Sequence, residues 1–330
     1  MIMGDNHDED AAFDQHHASS DVMTVLGAVA PYELGATLLH EHLIFDLRFS
    51  NPDPDRCMTD PDAAVEDMRL LYEVGGRSVV EQTCQGFGRD PSLLRRIAQQ
   101  CDVHIIASTG FYGAATYPTY VQEESAEQLA ARLVRDVEQG IDDTDVRAGM
   151  IGEIATEGDA SFTAAQIKVY RAVATAQQAT GLGISAHCWL GNGAVRLIDL
   201  LTADGVPAER VLVHHVGANR ASIDTATAIL DTGARVMVDC VGYGERDGFI
   251  GWDDRDRAML VSQLFDRGYG QQVTVSKHLC RRAHFSRFGG HGHRFVLLQF
   301  VPMLREAGLT DGEIDTLLVH TPRKFLTPDR

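Results

Sequence analysis

Short apolar runs alternate with longer stretches of helical spacing along most of this chain. Short apolar runs are typical of buried strands, whereas apolar residues at every third or fourth position indicate helices. Eight runs predict strands, at residues 36–45, 78–82, 104–108, 149–154, 183–187, 210–215, 234–239 and 272–276. Alternation of strand and helix predicts a parallel sheet, and eight such units predict a closed (β/α)₈ TIM barrel of the α/β class.

The segments between these runs carry local signals for helix ends. Ser125 followed by Gln128 has the spacing of a capping box, Pro91 begins another segment, and Gly181 ends a third. The predicted helices cover residues 62–74, 91–100, 125–139, 163–180, 194–201, 221–231, 253–266, 294–307 and 311–318. A doubly wound open sheet is the alternative, but no G-x-G-x-x-G follows the first strand, which weakens a dinucleotide-binding interpretation.

No strong linker interrupts this series, so we expect a single barrel domain over residues 22–330. Residues 1–21 differ in character, because they are rich in acidic residues and histidines and have no apolar periodicity. They also lack the basic start and apolar stretch of a signal peptide. We therefore expect a disordered acidic tail ahead of the barrel.

Composition narrows the classes of function. The 330 residues carry a net charge of −18, which argues against a nucleic-acid or anionic-membrane partner. No apolar run approaches the roughly 20 residues of a membrane span. The six cysteines have neither a C-x-x-C pair nor a disulfide-like spacing, which favours reduced thiols in a cytoplasmic protein. We expect a small-molecule substrate, and a homodimer is the candidate assembly.

Polar residues are concentrated where the first strand ends. His40 and His42 are spaced i, i+2, so on a strand both rings project from one face while Glu41 projects from the other. Two imidazoles on one face can hold a metal ion, although a lone His-x-His is as often a pair of surface or capped histidines. Glu41 is interpreted as a supporting or structural residue.

Other predicted strand ends carry the same kinds of side chain, and active sites of (β/α)₈ barrels lie at those ends. The additional residues are Glu153, His187, His214, His215, Asp239 and His278. Packing alone does not explain so many polar strand ends, because buried polar groups are costly unless they are satisfied together. The pattern predicts one or two divalent metal ions. Zn²⁺ is the expected metal, and Mn²⁺, Fe²⁺ and Co²⁺ are the alternatives. His214 and His215 are adjacent and should face opposite ways, so only one should point into the barrel.

Several stretches together resemble the phosphotriesterase-related branch of the amidohydrolase superfamily, from about residue 25 to residue 328. They are Gly35 to Leu43, Thr109-Gly110-Phe111-Tyr112 with Tyr117-Pro118 behind it, Ile151-Gly152-Glu153-Ile154, Gly289-Gly290-His291-Gly292 and Pro302-Met303-Leu304. No single stretch would suffice, but the combination is specific. The resemblance implies a metal-dependent hydrolase on a TIM barrel, in a family that acts on lactones, carboxylic esters, amides and phosphotriesters.

The resemblance also implies a role for each strand-end residue. The implied ligands are His40 and His42 for the more buried metal, Glu153 as the bridge between two metals, and His187 and His215 for the second metal. His215 rather than His214 is therefore the expected ligand. The resemblance places Tyr112 near the metals, where it would be catalytic by orienting water or substrate, and a packed aromatic residue is the alternative.

The sequence departs from the family pattern after the eighth strand. The family has Ser-His-Asp there, and its aspartate binds the buried metal and takes the proton of the bridging water, whereas this chain has Ser276-Lys277-His278. Another family carboxylate is missing from His215-Val216-Gly217. A neutral imidazole can be a ligand or a general base, so we predict that His278 either binds the buried metal or acts as the catalytic residue that takes the proton of the metal-bound water. Fewer carboxylates should weaken one metal site.

The leading hypothesis is a hydrolase in which a metal-bound hydroxide attacks a small ester, lactone or amide, or a phosphotriester. Residues 243–252 and 281–293 should form the pocket, where Arg281, Arg282 and Arg287 would meet an anionic substrate unless they are solvated surface residues. The alternative is a non-hydrolytic binding protein, or a lyase or isomerase, because His278 replaces the usual aspartate.

Overall fold

Eight parallel strands follow one another in chain order around a single sheet. The computed structural model describes residues 21–49, 51–158, 161–218, 222–244, 247–248 and 252–329, so the tail predicted at residues 1–21 lies outside it except for Asp21. The barrel strands are β1 Ala36–Glu41, β2 Gly76–Glu81, β3 His104–Thr109, β4 Ala148–Ala155, β5 Ile184–His187, β6 Val211–His214, β7 Arg235–Val238 and β8 Val273–Val275. Each strand pairs in parallel with its neighbours along the chain.

The last strand returns to the first, which leaves the sheet nearly closed. The backbone N–H of His278, just beyond β8, donates to the carbonyl of His40 on β1 at 3.1 Å. The hydroxyl of Ser276 lies 3.2 Å from the same carbonyl oxygen. Because strand order never reverses, the sheet lacks the switch point of a doubly wound fold. The predicted (β/α)₈ barrel is therefore confirmed, and the open-sheet alternative is wrong.

Helices connect the strands close to where the sequence predicts them. The described α-helices are Pro61–Glu73, Pro91–Ala98, Tyr120–Glu123, Ala126–Glu138, Ala164–Thr180, Ala194–Ala203, Ile223–Leu230, Asp254–Asp266, Val301–Glu306, Asp311–Asp315 and Thr321–Leu326. Ser125 caps its helix through the backbone N–H of Gln128, as the capping-box spacing predicts. Gly181 ends another helix in the left-handed conformation, with φ 71°. No described helix has both the length and the apolar character that a membrane span needs.

Two short antiparallel ribbons were not predicted. Val22–Thr24 pairs with Gly27–Val29 ahead of the barrel, and Phe45–Asp46 pairs with Cys57–Met58 in the loop after β1. The sequence indicated one strand to residue 45 and a loop over residues 51–61, whereas β1 ends at Glu41. Strands of two or three residues are too short for an alternation of apolar and polar positions to be recognised in the sequence. The second ribbon matters for function because it holds the chain beside the strand ends.

Prolines divide the C-terminal helices, which the sequence predicted as two continuous segments. The structure has π-helical turns at Val296–Phe300 and Thr316–His320, each followed directly by an α-helix. Pro302 and Pro322 lie in the first turn of those α-helices. A proline has no backbone N–H to donate, so the helix accommodates it with a widened turn on its N-terminal side. The last helical region also extends beyond the predicted end.

An apolar layer fills the barrel interior beneath the strand ends. Six strands each contribute one fully buried side chain to it: Leu39, Val80, Ile106, Met150, Leu212 and Met237. Side chains alternate along a strand, so neighbours such as Val79 and Ile105 belong instead to the larger cluster under the helices. The polar residues at the carboxyl ends of the strands therefore lie above a dry, packed interior.

Candidate metal centre

The carboxylate of Glu153 lies at the centre of a group of buried histidines. Glu153 on β4 places Oε1 2.7 Å from Nε2 of His40 and Oε2 3.3 Å from Nδ1 of His187, so residues from β1, β4 and β5 meet at one carboxylate. Within the described part of the chain, His40 Nε2 and Glu153 Oε1 make no hydrogen bond of acceptable geometry, although both atoms are buried. An unpartnered buried polar atom is costly. The convergence of two such atoms fits a cation held between them.

Three of the histidines use Nδ1 for contacts with other side chains. His40 Nδ1 lies 3.1 Å from Asp239 Oδ2, and His215 Nδ1 lies 3.0 Å from Asp239 Oδ1. His42 Nδ1 lies 2.9 Å from the hydroxyl of Thr83. A partner at one ring nitrogen fixes the tautomer and leaves the other nitrogen available as a ligand. All three rings therefore present Nε2 to the centre.

A second group of donors includes His187 and His215. Nδ1 of His187 lies 2.9 Å from Nε2 of His215 and 3.3 Å from the Glu153 carboxylate. The hydroxyl of Tyr112 lies 3.3 Å from Nε2 and 3.4 Å from Nδ1 of the His187 ring. The structure thus brings Tyr112 beside this group, and its side chain also lines the cavity above it.

His278 lies against the histidines of β1, at the place where the family pattern has an aspartate. Its ring centroid is 4.4 Å from that of His40, 5.4 Å from that of His42 and 4.5 Å from that of His215. The potential ligand atoms of His40, His42 and His278 lie within 4.8 Å of one another. All six predicted metal ligands therefore lie in one cluster.

The donor set suits a divalent transition metal. Imidazole nitrogens combined with a carboxylate are ligands of Zn²⁺, Mn²⁺, Fe²⁺ and Co²⁺, and the buried atoms of His40 and Glu153 that make no hydrogen bond fit such an ion. Three groups have potential ligand atoms within 4.8 Å of one another: His40, His42 and His278; His40, His214, His215 and Asp239; and His215, Cys240 and His278. Glu153 contacts both His40 and His187 and so lies between the two sides of the cluster.

Two carboxylates control the charge of the cluster. Burial acts to lower the pKa of His40, but the neighbouring Glu153 and Asp239 raise it to about 10. Burial, together with the charge of His40, lowers the pKa of His42 to about 3. Burial also lowers the pKa of His215 to about 4, against the opposing effect of Asp239. The carboxylates thus favour a proton on His40, which must leave before Nε2 can bind a metal, whereas His42 and His215 are neutral rings with a lone pair available.

Strained backbone accompanies the cluster at four successive strand ends. Leu190, His215, Cys240 and His278 follow β5, β6, β7 and β8 in the left-handed region, with φ of 57°, 63°, 58° and 53°. Such a conformation costs a non-glycine residue about 1–3 kcal/mol, and it is commonest at functional sites. The left-handed conformation turns the chain at each of these strand ends. Three of the four residues, His215, Cys240 and His278, contact the cluster.

The two adjacent histidines of β6 do not follow the predicted alternation. His215 lies one residue beyond the strand, so its positive φ takes the place of the strand geometry. The ring centroids of His214 and His215 are both near that of His40, at 4.2 and 5.2 Å. The prediction that only one would point into the barrel is therefore wrong. Their partners still differ, because His214 Nε2 contacts the Ser185 hydroxyl at 2.8 Å.

A cavity of about 280 Å³ opens above the cluster. Its wall is rich in aromatic side chains, which are Phe49, Phe87, Tyr112, Trp189 and Tyr243. From the loops predicted to form the pocket, Tyr243, Asp247 and Arg281 line it. Residues 245–246 and 249–251 of the first of these loops lie outside the described residues. The cavity thus combines an aromatic wall with charged side chains from the loops and with polar residues of the cluster at its base.

Two arginines among the described residues line the cavity. Arg281 has carboxylates close by, with Asp55 at 3.6 Å and Asp247 at 4.0 Å. Arg56 donates its Nε–H to the carbonyl of Leu47 at 3.3 Å, and no carboxylate in the described ranges lies within 4.0 Å of its guanidinium. Arg56, which the sequence did not single out, is therefore the cavity arginine whose charge is less compensated.

The other two predicted arginines lie elsewhere. Arg287 pairs with Asp60 at 3.2 Å and with Glu66 at 3.0 Å on the protein surface. The guanidinium of Arg282 lies 4.3 Å from the centre of the Phe288 ring. Neither lines the described cavity, so the interpretation of these two residues as pocket arginines is wrong, and their surface alternative holds.

Sequence reasoning also missed partners of the histidines. Asp239 was placed at a strand end but not between two rings, and Cys240 and Thr83 were not considered. Asp239 and Cys240 directly follow the apolar run of β7, which is a usable signal because strand ends face the site. Thr83 follows β2 without any feature that distinguishes it from an ordinary polar residue.

Comparison with known proteins finds relatives over nearly the whole of this chain. A model of the phosphotriesterase family matches residues 20–326. The phosphotriesterase homology protein of Escherichia coli is 33% identical over 292 residues, covering 88% of this chain and 97% of that protein. The N-acetyltaurine hydrolase of Mus musculus is 29% identical over 345 residues, covering 94% and 98%. The crystal structure of a resiniferatoxin-binding protein from Rhodobacter sphaeroides has a TM-score of 0.85 at 30% identity, covering 93% and 95%.

Proposed function

This chain belongs to the phosphotriesterase family, and we propose that it is a metal-dependent hydrolase acting on a small ester, lactone or amide. The observation that carries the proposal is the convergence of His40 and Glu153, through buried atoms without other hydrogen-bond partners, at the base of a substrate-sized cavity. The N-acetyltaurine hydrolases among the relatives favour an amide within this group of substrates.

The cluster would hold the metal and the cavity would position the substrate. The holding residues are His40, His42, Glu153 and His278 for one ion and His187, His215 and Glu153 for the other. When bound, zinc or a similar ion would activate water and polarise the oxygen under attack. Tyr112 lies beside His187 at the base of the cavity, and its hydroxyl would donate a hydrogen bond to the substrate carbonyl. Burial and the charge of Glu153 raise the pKa of Tyr112 well above its usual range, so the donor keeps its proton.

The cavity favours a substrate that carries an anionic group away from the bond to be cleaved. In a chain with a net charge of −18, the partly buried Arg56 supplies a less compensated positive charge. A carboxylate or sulfonate is the natural partner of a guanidinium. The aromatic wall would accommodate a short acyl chain. An N-acylated amino acid or amino sulfonate combines these features.

Substitution of Arg56 by Gln tests this substrate class. We expect the metal-loaded variant to lose about 10- to 100-fold in kcat/KM for N-acetyltaurine and N-acetyl amino acids, the effect of one charge-assisted hydrogen bond of about 1.5–3 kcal/mol. Neutral lactones and esters should be hydrolysed as by the wild type. Arg287→Gln is the matched control, because Arg287 pairs with surface carboxylates outside the cavity. Equal losses on charged and neutral substrates would contradict the assignment.

A binding protein is the second candidate function. His278 in place of the family aspartate motivates it, and the resiniferatoxin-binding protein is a structural relative at 30% identity. A panel of esters, lactones and N-acyl amino acids tested with zinc-, manganese- and cobalt-loaded protein separates the two functions. Turnover of any of these above the metal-free background supports the hydrolase. Uniform inactivity with saturable binding of the same compounds would replace it with the binding protein.

A further inference from the structure

Three of the five candidate ligand histidines direct Nδ1 to a side-chain oxygen outside the ligand set, and His278 does not. His40 and His215 direct Nδ1 to the carboxylate of Asp239, and His42 directs Nδ1 to the hydroxyl of Thr83. An oxygen at Nδ1 holds the ring proton there and leaves the lone pair of Nε2 for the metal. Each of these rings thus has an oxygen that selects its tautomer.

At His278 a sulfur atom occupies the corresponding place. Its Nδ1 lies 3.4 Å from Sγ of Cys240, and no side-chain oxygen of the described residues is within hydrogen-bond distance of this nitrogen. The ring of His278 packs between those of His40 and His215, with centroids 4.4 and 4.5 Å away, and its backbone is held on both sides. Its N–H donates to His40, and its carbonyl accepts from the hydroxyl of Tyr243 at 2.7 Å.

We propose that Cys240 is a positioning residue for the metal centre: its sulfur accepts the Nδ1–H of His278 and directs Nε2 toward the ion held by His40 and His42. This inference rests on the proposed function, since it concerns the same metal site. The pair of Cys240 and His278 then takes the place of the carboxylate in the family pattern. A thiol is a weaker acceptor than a carboxylate or a hydroxyl, so His278 is the least firmly oriented of the three histidines around this ion.

The contacts favour this role over direct binding of the metal by sulfur. Sγ of Cys240 also lies 3.8 Å from Nδ1 of His215, and a shared ion could in principle lie among the three residues. However, that nitrogen is already in contact with Asp239 at 3.0 Å, and Nε2 of His215 faces His187. Binding through sulfur would require His215 to give up its contact with Asp239.

The test compares zinc-loaded full-length protein with Cys240→Ala, Cys240→Ser and a control, Cys280→Ala. Cys280 also lines the cavity, but its sulfur lies 3.4 Å from the hydroxyl of Tyr243 and outside the ligand groups. Chelator competition measures the affinity of each ion, and ¹⁵N NMR of the histidine rings reports the tautomer of His278. Cys240→Ala should weaken one ion about 10- to 100-fold and change that tautomer. Cys240→Ser should restore most of the metal affinity and most of the wild-type tautomer of His278. Cys280→Ala should change neither the metal affinity nor the tautomer.

Two results would overturn the proposal. One is a Cys240→Ala protein that keeps both ions at wild-type affinity with an unchanged His278 tautomer. The other is a sulfur shell at about 2.3 Å in zinc X-ray absorption that disappears in Cys240→Ser, which would make Cys240 a ligand instead. Thermal unfolding of each variant excludes a general folding defect as the cause. Because these measurements need no turnover, their outcome is independent of whether the hydrolase proposal holds.

Discussion

Glu41 lies between two ligand histidines in the sequence, yet its carboxylate faces the other way and holds the turn after β8. Oε1 accepts hydrogen bonds from the hydroxyl of Ser276 at 2.7 Å and the backbone N–H of Lys277 at 2.8 Å. Oε2 accepts from the backbone N–H of Leu279 at 3.0 Å, with Nε2 of His293 at 3.5 Å. One buried carboxylate thus fixes the backbone on both sides of the strand-8 histidine.

Replacing Glu41 by Gln should damage both stability and the metal site. The amide NH₂ group would face a backbone N–H and leave a buried donor unsatisfied, which costs about 1–3 kcal/mol in the free energy of unfolding. The looser turn should also lower metal content. Urea unfolding and metal analysis measure the two effects, with the exposed Glu73→Gln as the control. A variant with wild-type stability and full metal content would show that Glu41 does not hold the turn.

At the residue scale, the sequence predicted which residues belong to the site, but it could not predict which atoms contact one another. The sequence indicated His40, His187 and His278 because imidazoles at strand ends have few structural explanations. The contacts of Asp239 and Cys240 could not be predicted in the same way. They depend on which nitrogen of each ring faces the centre, and that follows from backbone angles at the strand ends.

At the scale of elements, the ribbon after β1 brings Arg56 to the cavity. Asp46 pairs with Cys57 in this ribbon, and the backbone N–H of Leu47 donates to the carbonyl of Arg56 at 2.8 Å. The adjoining Asp55 accepts a hydrogen bond from the backbone N–H of Ala283 at 2.6 Å. Asp55 therefore joins the loop after β1 to the loop after β8 at the rim of the cavity.

Substitution of Asp55 by Ala should loosen this rim without affecting the metal centre. We expect KM for an anionic substrate to rise severalfold while metal content stays unchanged, because Asp55 touches Arg281 and the loop but no ligand. The free energy of unfolding should fall by less than about 1 kcal/mol, as for other partly exposed pairs. Steady-state kinetics and metal analysis on Asp55→Ala are compared with Asp143→Ala, an exposed loop carboxylate. Loss of metal in Asp55→Ala would contradict this division between rim and centre.

The secondary-structure elements differed in how well the sequence predicted them. The strand predicted at residues 104–108 is His104–Thr109 in the structure, because a short apolar run between two helical segments is typical of a buried strand. The ribbon of Phe45–Asp46 with Cys57–Met58 produces no such pattern, since two residues cannot show a period. Its pairing depends on tertiary contacts with the barrel, and so does the position of Arg56.

At the scale of the whole molecule, the metal centre joins strands that are distant in the sequence. Its candidate ligands come from β1, β4, β5, β6 and β8, and Asp239 adds β7 through its contacts with two of the rings. The first and last strands meet here through His40 and His278, where the barrel closes. An ion bound at this place would therefore stabilise closure as well as supply chemistry.

This arrangement predicts that metal removal destabilises the entire barrel. An ion that binds only the folded chain adds about 2.7 kcal/mol at a free concentration 100-fold above its dissociation constant. For a chain of this size, each kcal/mol shifts Tm by about 2 °C, so chelation should lower Tm by roughly 5 °C and added zinc should restore it.

Glu153→Ala, which removes the carboxylate shared by both donor groups, should show a much smaller shift on chelation. His214→Ala should lower Tm but keep the metal-dependent shift, because the ring of His214 is buried against Ser185. Calorimetry with metal analysis checks all three proteins, and a wild-type Tm that stays constant while the metal is removed would separate the site from barrel stability.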